Sequence, residues 1–199
     1  MHGVRVDLLE KQCESIGIPL VKMMVPEMPS MEAYEKVMVS TLLDLKNKGI
    51  TVSVFGDIFL EDLRKYRENK LADLSMEAVF PLWKTPTKEL IHEFIDLGFK
   101  TITTCVNDKY LNKSFVGRII DKNFLKDLPK NVDPCGENGE FHTFVFDGPI
   151  FKKPIPFTIG EIVHRKYTPS KETNDSSYDC STDKEENPFD NGFWYCDLI

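Results

Sequence analysis

The apolar pattern of this chain changes character once, near Trp83, and that change limits the folds open to it. Leu8, Leu9, Cys13 and Ile16 keep helical spacing ahead of Gly17. Met31, Tyr34, Val37, Met38, Thr41, Leu42 and Leu45 do the same between Ser30 and Gly49, residues suited to start and stop a helix. Leu20 to Val25 reads as a buried strand, Ile50 to Phe55 as a second and Ala78 to Phe80 as a third. Helical periodicity from Ile58 to about Leu74 lies between the last two. Helices alternating with short apolar strands predict parallel βαβ units. Beyond Trp83 one helix, Thr85 to Leu97, precedes a run of strands: Phe99 to Val106, Phe141 to Asp147, Pro154 to Lys166 and Gly192 to Leu198. A shorter helical piece falls around Phe124 to Leu128. A βαβ half over residues 1–84 and an α+β half over residues 85–199 are therefore expected.

The charge is distributed unevenly. Of the formal net charge of -7, most resides between Pro169 and Asp190, where seven acidic residues face only Lys171 and Lys184. That polar segment cannot bury enough apolar surface to order itself, so a flexible loop is expected at 168–190. The remainder is nearly neutral and has no basic stripe, which argues against a nucleic-acid partner. No apolar run approaches the roughly 20 residues that span a bilayer. Met1 is followed by His2, Gly3, Val4 and a charged helical pattern, so no secretory signal is expected and the protein is placed in the cytoplasm. Five scattered cysteines without a CxxC pair predict reduced thiols rather than a disulfide framework or a zinc ribbon.

Two short stretches carry chemistry. Asp133 to Phe144, DPCGENGEFHTF, sets Gly136 and Gly139 among Glu137, Glu140 and His142. The glycines suit positive φ or close backbone approach, and the carboxylates and imidazole bring charge and proton-transfer capacity to one turn. The same residues would also suit a glycine-rich lead-in to a hairpin whose glutamates face water. At the end of the second strand stand Gly56 and Asp57, where parallel sheets collect ligands. Asp57 could equally cap the helix that follows. Arg64 and Glu68, four apart, predict a surface pair.

MHGVR at Met1, GDIFLEDLRKYRE from Gly56, FPLW from Phe80 and DPCGENGEFHTFVFDGPIF from Asp133 together resemble the diphthine-ammonia ligase family, a branch of the N-type ATP pyrophosphatases or PP-loop ATPases. The resemblance implies a Rossmann-like (HUP-type) nucleotide-binding domain in residues 1–84 and a substrate domain in 85–199. It implies ATP and ammonia as small-molecule substrates, Mg2+ as cofactor and adenylylation of a carboxylate, such as diphthine on elongation factor 2. Gly56 and Asp57 then border the nucleotide, with Asp57 holding Mg2+ and Asp62 as a second acid within reach. Glu137, Glu140 and His142 become the catalytic set, and Gly136, Asn138, Gly139 and Phe141 the substrate-binding set. The glutamates and the Phe141 ring would attract the quaternary ammonium of diphthine. The family's SGGKDS phosphate loop does not occur in these 199 residues. That predicts either a chain begun at an internal methionine or a non-catalytic binding protein of the same fold, and a truncated sheet would favour homo-oligomers. A thiol hydrolase built on Cys135 and His142 is the competing class.

Overall fold

A computed structural model describes residues 3–25, 30–167 and 191–199; the acidic segment 168–190, where a flexible loop is expected, and residues 26–29 lie outside the described residues. By packing, the chain divides into two compact units: Met1–Gly17 with Ile91–Ile199, and Ile18–Leu90.

The larger unit is a four-stranded sheet in the order β4-β3-β6-β5, built from β3 (Lys100–Asn107), β4 (Phe141–Asp147), β5 (Ile159–Tyr167) and β6 (Asn191–Leu198). Every neighbouring pair is antiparallel. Strand β3 buries every residue except Lys100, as befits a β-branched run paired along both edges. Strand β6 pairs with it only from Cys105 to Asn107. The segment Gly117 to Ile120 takes the rest of that edge, through Gly117 N–H to Thr103 O (2.8 Å), Thr103 N–H to Arg118 O (2.9 Å) and Ile120 N–H to Thr101 O (3.0 Å). Ile102, Val106, Leu111, Phe124, Phe144 and Leu198 form the centre of the core. Helix α5 (Lys122–Asp127) starts on Asp121, whose side chain accepts from Phe124 N–H, and so aims the fully buried Phe124 inward.

Helix α1 (Val6–Ile16) belongs to this unit. Leu8 joins its core, Gln12 Nε2 donates to Val145 O at 2.6 Å and Ser15 Oγ donates to Lys153 O at 2.6 Å. These partners lie more than 130 positions away, an association that a division at residue 84 does not express. Gly17 closes the helix with φ +82° and Ser30 caps α2 (Met31–Asn47) by accepting from Ala33 N–H, as their spacing predicts.

The smaller unit holds α2, β1 (Val52–Val54), α3 (Glu61–Ala72) and β2 (Glu77–Val79); α4 (Thr87–Asp96) straddles the division. Strands β1 and β2 are parallel with α3 between them, one βαβ unit. Leu20 to Val25 forms no strand, contrary to the expectation from its apolar run. Leu20, Val21, Met24 and Val25 are exposed, since an apolar run becomes a strand only where another strand satisfies its backbone. The fold is thus mixed α/β, with one parallel and one antiparallel sheet. Among the described residues no helix is long and apolar enough to cross a membrane.

Candidate functional site

The loop leading into β4 is assembled from local bonds. Asp133 Oδ1 accepts from Cys135 N–H at 2.9 Å and Glu137 N–H at 3.4 Å, an Asx turn. Two reverse turns follow, Gly136 N–H to Asp133 O (3.0 Å) and Gly139 N–H to Gly136 O (3.1 Å). Both glycines take left-handed backbone, φ +71° and +81°. At Gly136 a Cβ would stand 2.9 Å from Phe141 O and 3.0 Å from Phe141 Cε2, so close approach is needed as well as positive φ.

Glu140 fastens this loop. Only 1% of it is exposed. Its Oε1 accepts from Asp133 N–H (2.9 Å) and from Asn138 Nδ2 (3.1 Å), while Oε2 accepts from Asn138 N–H (2.9 Å). Its backbone oxygen takes Asn107 N–H at 2.9 Å, joining the loop to the end of β3. A buried carboxylate is tolerated when such donors replace water. Glu140 therefore shapes the corner from inside instead of facing solvent.

Phe141 is 4% exposed and packs edge-on against Phe124, with centroids 5.8 Å apart. This corrects the expectation of an aromatic platform for a quaternary cation: the ring belongs to the core. Glu137 and His142 are half-buried and Asn138 is exposed. His142 stands opposite Cys105 in the sheet. Burial, reinforced by Asp133 and Glu137, pushes the Cys135 thiol up to about 12. A thiol is reactive as the thiolate, and surroundings that raise the Cys135 thiol instead of lowering it argue against a thiol hydrolase.

Gly56 and Asp57 follow β1, whose pairing is extended by Phe55 N–H to Val79 O at 2.9 Å. Nothing crowds Gly56. Asp57 does not cap α3, because Leu60 holds that position. Its side chain is 11% exposed, with Oδ2 2.9 Å from Arg67 Nε. Those two atoms are buried and poorly aligned for a hydrogen bond with each other, and the pair's hydrogen bond runs instead from Arg67 Nη2 to Asp57 Oδ1 at 3.4 Å. Arg67 lies 4.4 Å over Phe55, and Arg64 lies 4.9 Å from Phe80 and 4.6 Å from Trp83 while bonding Glu68 at 2.7 Å. The Arg64–Glu68 pair matches its spacing. The row of arginines over aromatics is a feature that reading the helix and the strand ends separately does not reveal.

Mg2+ is not well served here. The Asp57 carboxylate already faces a guanidinium, Asp62 is exposed on α3, and no group of three metal-ligating side chains occurs among the described residues. The residues chosen from sequence thus form two sets. Gly136, Glu137, Asn138, Gly139 and Glu140 lie in one loop of the larger unit and Phe141 and His142 open the strand it leads into, while Gly56 and Asp57 lie in the smaller unit.

The larger unit is an antiparallel sheet carrying a glycine loop closed on a buried carboxylate. Residues 86–170 match the family model of the diphthamide synthase C-terminal domain. The chain is 34% identical over 128 residues to the diphthine–ammonia ligase of Mus musculus, covering 60% of this chain and 47% of that protein. It is 34% identical over 113 residues to that of Danio rerio, covering 52% and 43%. To that of Schizosaccharomyces pombe it is 30% identical over 100 residues, covering 48% and 16%. Over about half of its length the chain is therefore similar to diphthine–ammonia ligases, and residues 86–170 carry the match to their C-terminal domain. Its matches span about half the length of the mouse and zebrafish relatives, and less of the yeast one.

Proposed function

We propose that this chain works as an ATP-dependent amide ligase, in which a carboxylate is adenylylated with release of pyrophosphate and ammonia displaces AMP to leave the amide. The observation that carries this assignment is the 133–142 loop, closed on buried Glu140 inside the stretch that matches the family. In it Glu140 is a positioning residue, Gly136 and Gly139 set the backbone, and Asn138 joins the carboxylate to the rim. Glu137 and His142 are the groups left to meet an acceptor, Glu137 by charge and His142 by proton transfer. Diphthine on elongation factor 2 fits that chemistry: its quaternary ammonium is drawn to a carboxylate without help from Phe141.

ATP belongs with a Rossmann-like half around β1, α3 and β2. Arg64 and Arg67 could attract phosphates there, yet each is paired with its own acid, so no phosphate contact is derived from them. The nucleotide domain expected over 1–84 is then carried by Ile18 onward, because α1 packs with the substrate domain expected over 85–199, and the cytoplasm is the compartment.

The test supplies the chain with ATP, 15N-ammonium and elongation factor 2 bearing diphthine. Pyrophosphate and 15N-labelled amide should appear in equal amounts. Acceptor binding without pyrophosphate release would make the chain a binding protein instead.

A further inference from the structure

Asn138 and Gly139 form one of two Asn-Gly pairs in the chain, the other being Asn191 and Gly192. An asparagine before glycine is chemically unstable, because the glycine nitrogen has no adjoining side chain to hinder its attack on the carboxamide carbon. Here the approach is open. Asn138 is exposed, and a Cβ built on Gly139 would meet nothing within 4 Å.

Both reacting groups are nevertheless tied down. The nucleophile, the Gly139 N–H, donates to Gly136 O at 3.1 Å. The carboxamide is held through Nδ2, which donates to Glu140 Oε1 at 3.1 Å, and the Asn138 N–H donates to Glu140 Oε2 at 2.9 Å. Glu140 is in turn buried and bonded to Asp133 N–H at 2.9 Å. Ring closure therefore requires the bonds to Glu140 and Gly136 to open together.

We propose that Asn138–Gly139 is a self-modification site that Glu140 holds in check, and that its conversion releases the acidic corner irreversibly. When the clamp opens, the Gly139 nitrogen gives its proton to solvent and bonds Asn138 Cγ. The Cγ–Nδ2 bond breaks, and Nδ2 takes up a proton and leaves as ammonia. Water then opens the cyclic imide: addition at Cγ leaves aspartate, and addition at the main-chain carbonyl leaves isoaspartate, whose backbone runs through the former side chain. In aspartate the Nδ2 donor is replaced by a carboxylate oxygen set against buried Glu140, and like charges at one site repel. In isoaspartate an extra methylene displaces Gly139 from its turn. Neither product can rebuild the clamp. The inference concerns the loop alone and does not depend on the ligase reading.

The test incubates the folded chain in mildly alkaline buffer and follows Asn138 by peptide mapping, reading the amide-to-acid mass gain and isoaspartate, with Asn191 in the same digest as reference. A synthetic peptide spanning Asp133 to Phe144 should convert about tenfold faster than the folded chain, the factor that one hydrogen bond to a charged group carries. Glu140→Ala should accelerate Asn138 by a similar factor and leave Asn191 unchanged. Leu198→Ala, which truncates a fully buried side chain at the other end of β6, should not reproduce that acceleration. Should Glu140→Ala fail to fold, the charge is tested separately: the Asp133 amide should exchange several-fold faster in Asn138→Asp than in Asn138→Ala. Conversion of the folded chain at the peptide's rate, equal acceleration by Leu198→Ala, no acceleration by Glu140→Ala, or identical exchange in the two Asn138 variants would each overturn the proposal.

Discussion

Strands β3 and β1 are both short β-branched runs flanked by helices, yet they end in opposite circumstances. β3 is covered on both faces and paired on both edges. β1 has one partner, β2, and leaves Val52 and Val54 exposed at 42% and 65%. The contrast extends to whole units. The larger one gathers fifteen buried residues into a single cluster, whereas in the smaller one the fully buried hydrophobic residues are Ile58, Leu71 and Met76, and α2 buries none. A strand's sequence declares what it can bury, and its neighbours decide whether it does. By that measure the larger unit is a self-sufficient core, and the smaller one is weakly held.

Core truncation is the strongest way to break this contrast. Phe124→Ala removes a fully buried ring in contact with Phe115 and Phe141 and should cost about 3–5 kcal/mol. Phe55→Ala, on a half-buried ring stacked with Phe80, should cost about 1 kcal/mol. Trp83 lies in the smaller unit and Trp194 in the larger. Single-tryptophan variants in urea therefore report the two separately, with Trp83 changing at lower denaturant. Coincident transitions would mean one cooperative body.

Next in size is the loop. Glu140→Ala leaves Asp133 N–H and Asn138 N–H without their acceptor and should destabilise the larger unit by about 2–3 kcal/mol in the same urea titration. The glycines sharpen the point. Gly136→Ala meets both left-handed φ and the Phe141 backbone, for about 2 kcal/mol, while Gly139→Ala has open space and only the φ penalty, about 1 kcal/mol. Equal costs would show that close approach to Phe141 is unimportant.

The smallest effect is chemical. Burial raises Cys135 to about 12 and Cys105 to about 11 from an ordinary 9.0. Folding favours the protonated thiols, so their contribution is present below about pH 9 and is lost as pH rises from 9 toward 12. Iodoacetamide at pH 8 should label Cys135 far more slowly than a free thiol, and reaction at the free rate would return the nucleophile to consideration.

Local chemistry was the legible part of the sequence. Positive φ at Gly136 and Gly139, the Ser30 cap, the Gly17 stop and the Arg64–Glu68 pair each depend on residues within a few positions. The strands of the larger unit were equally visible, because apolar runs there found partners. Leu20 to Val25 misled because its pattern is that of a strand without a neighbour. The inward turn of Glu140 and the attachment of α1 were hidden for a related reason. Glutamate is a surface residue until donors surround it, and Gln12 and Ser15 reveal nothing of partners beyond residue 140. Asp57 read as a cap or a ligand until Arg67, ten residues on, claimed it.

Amide hydrogen exchange at Asp133 and Asn138 tests most directly whether the acidic corner is built into the core of its unit. Both protons are held by buried Glu140, and they should exchange as slowly as those of β3 and well after those of β1. Exchange at the rate of an exposed turn would contradict a preformed corner, and with it the site on which the ligase assignment stands.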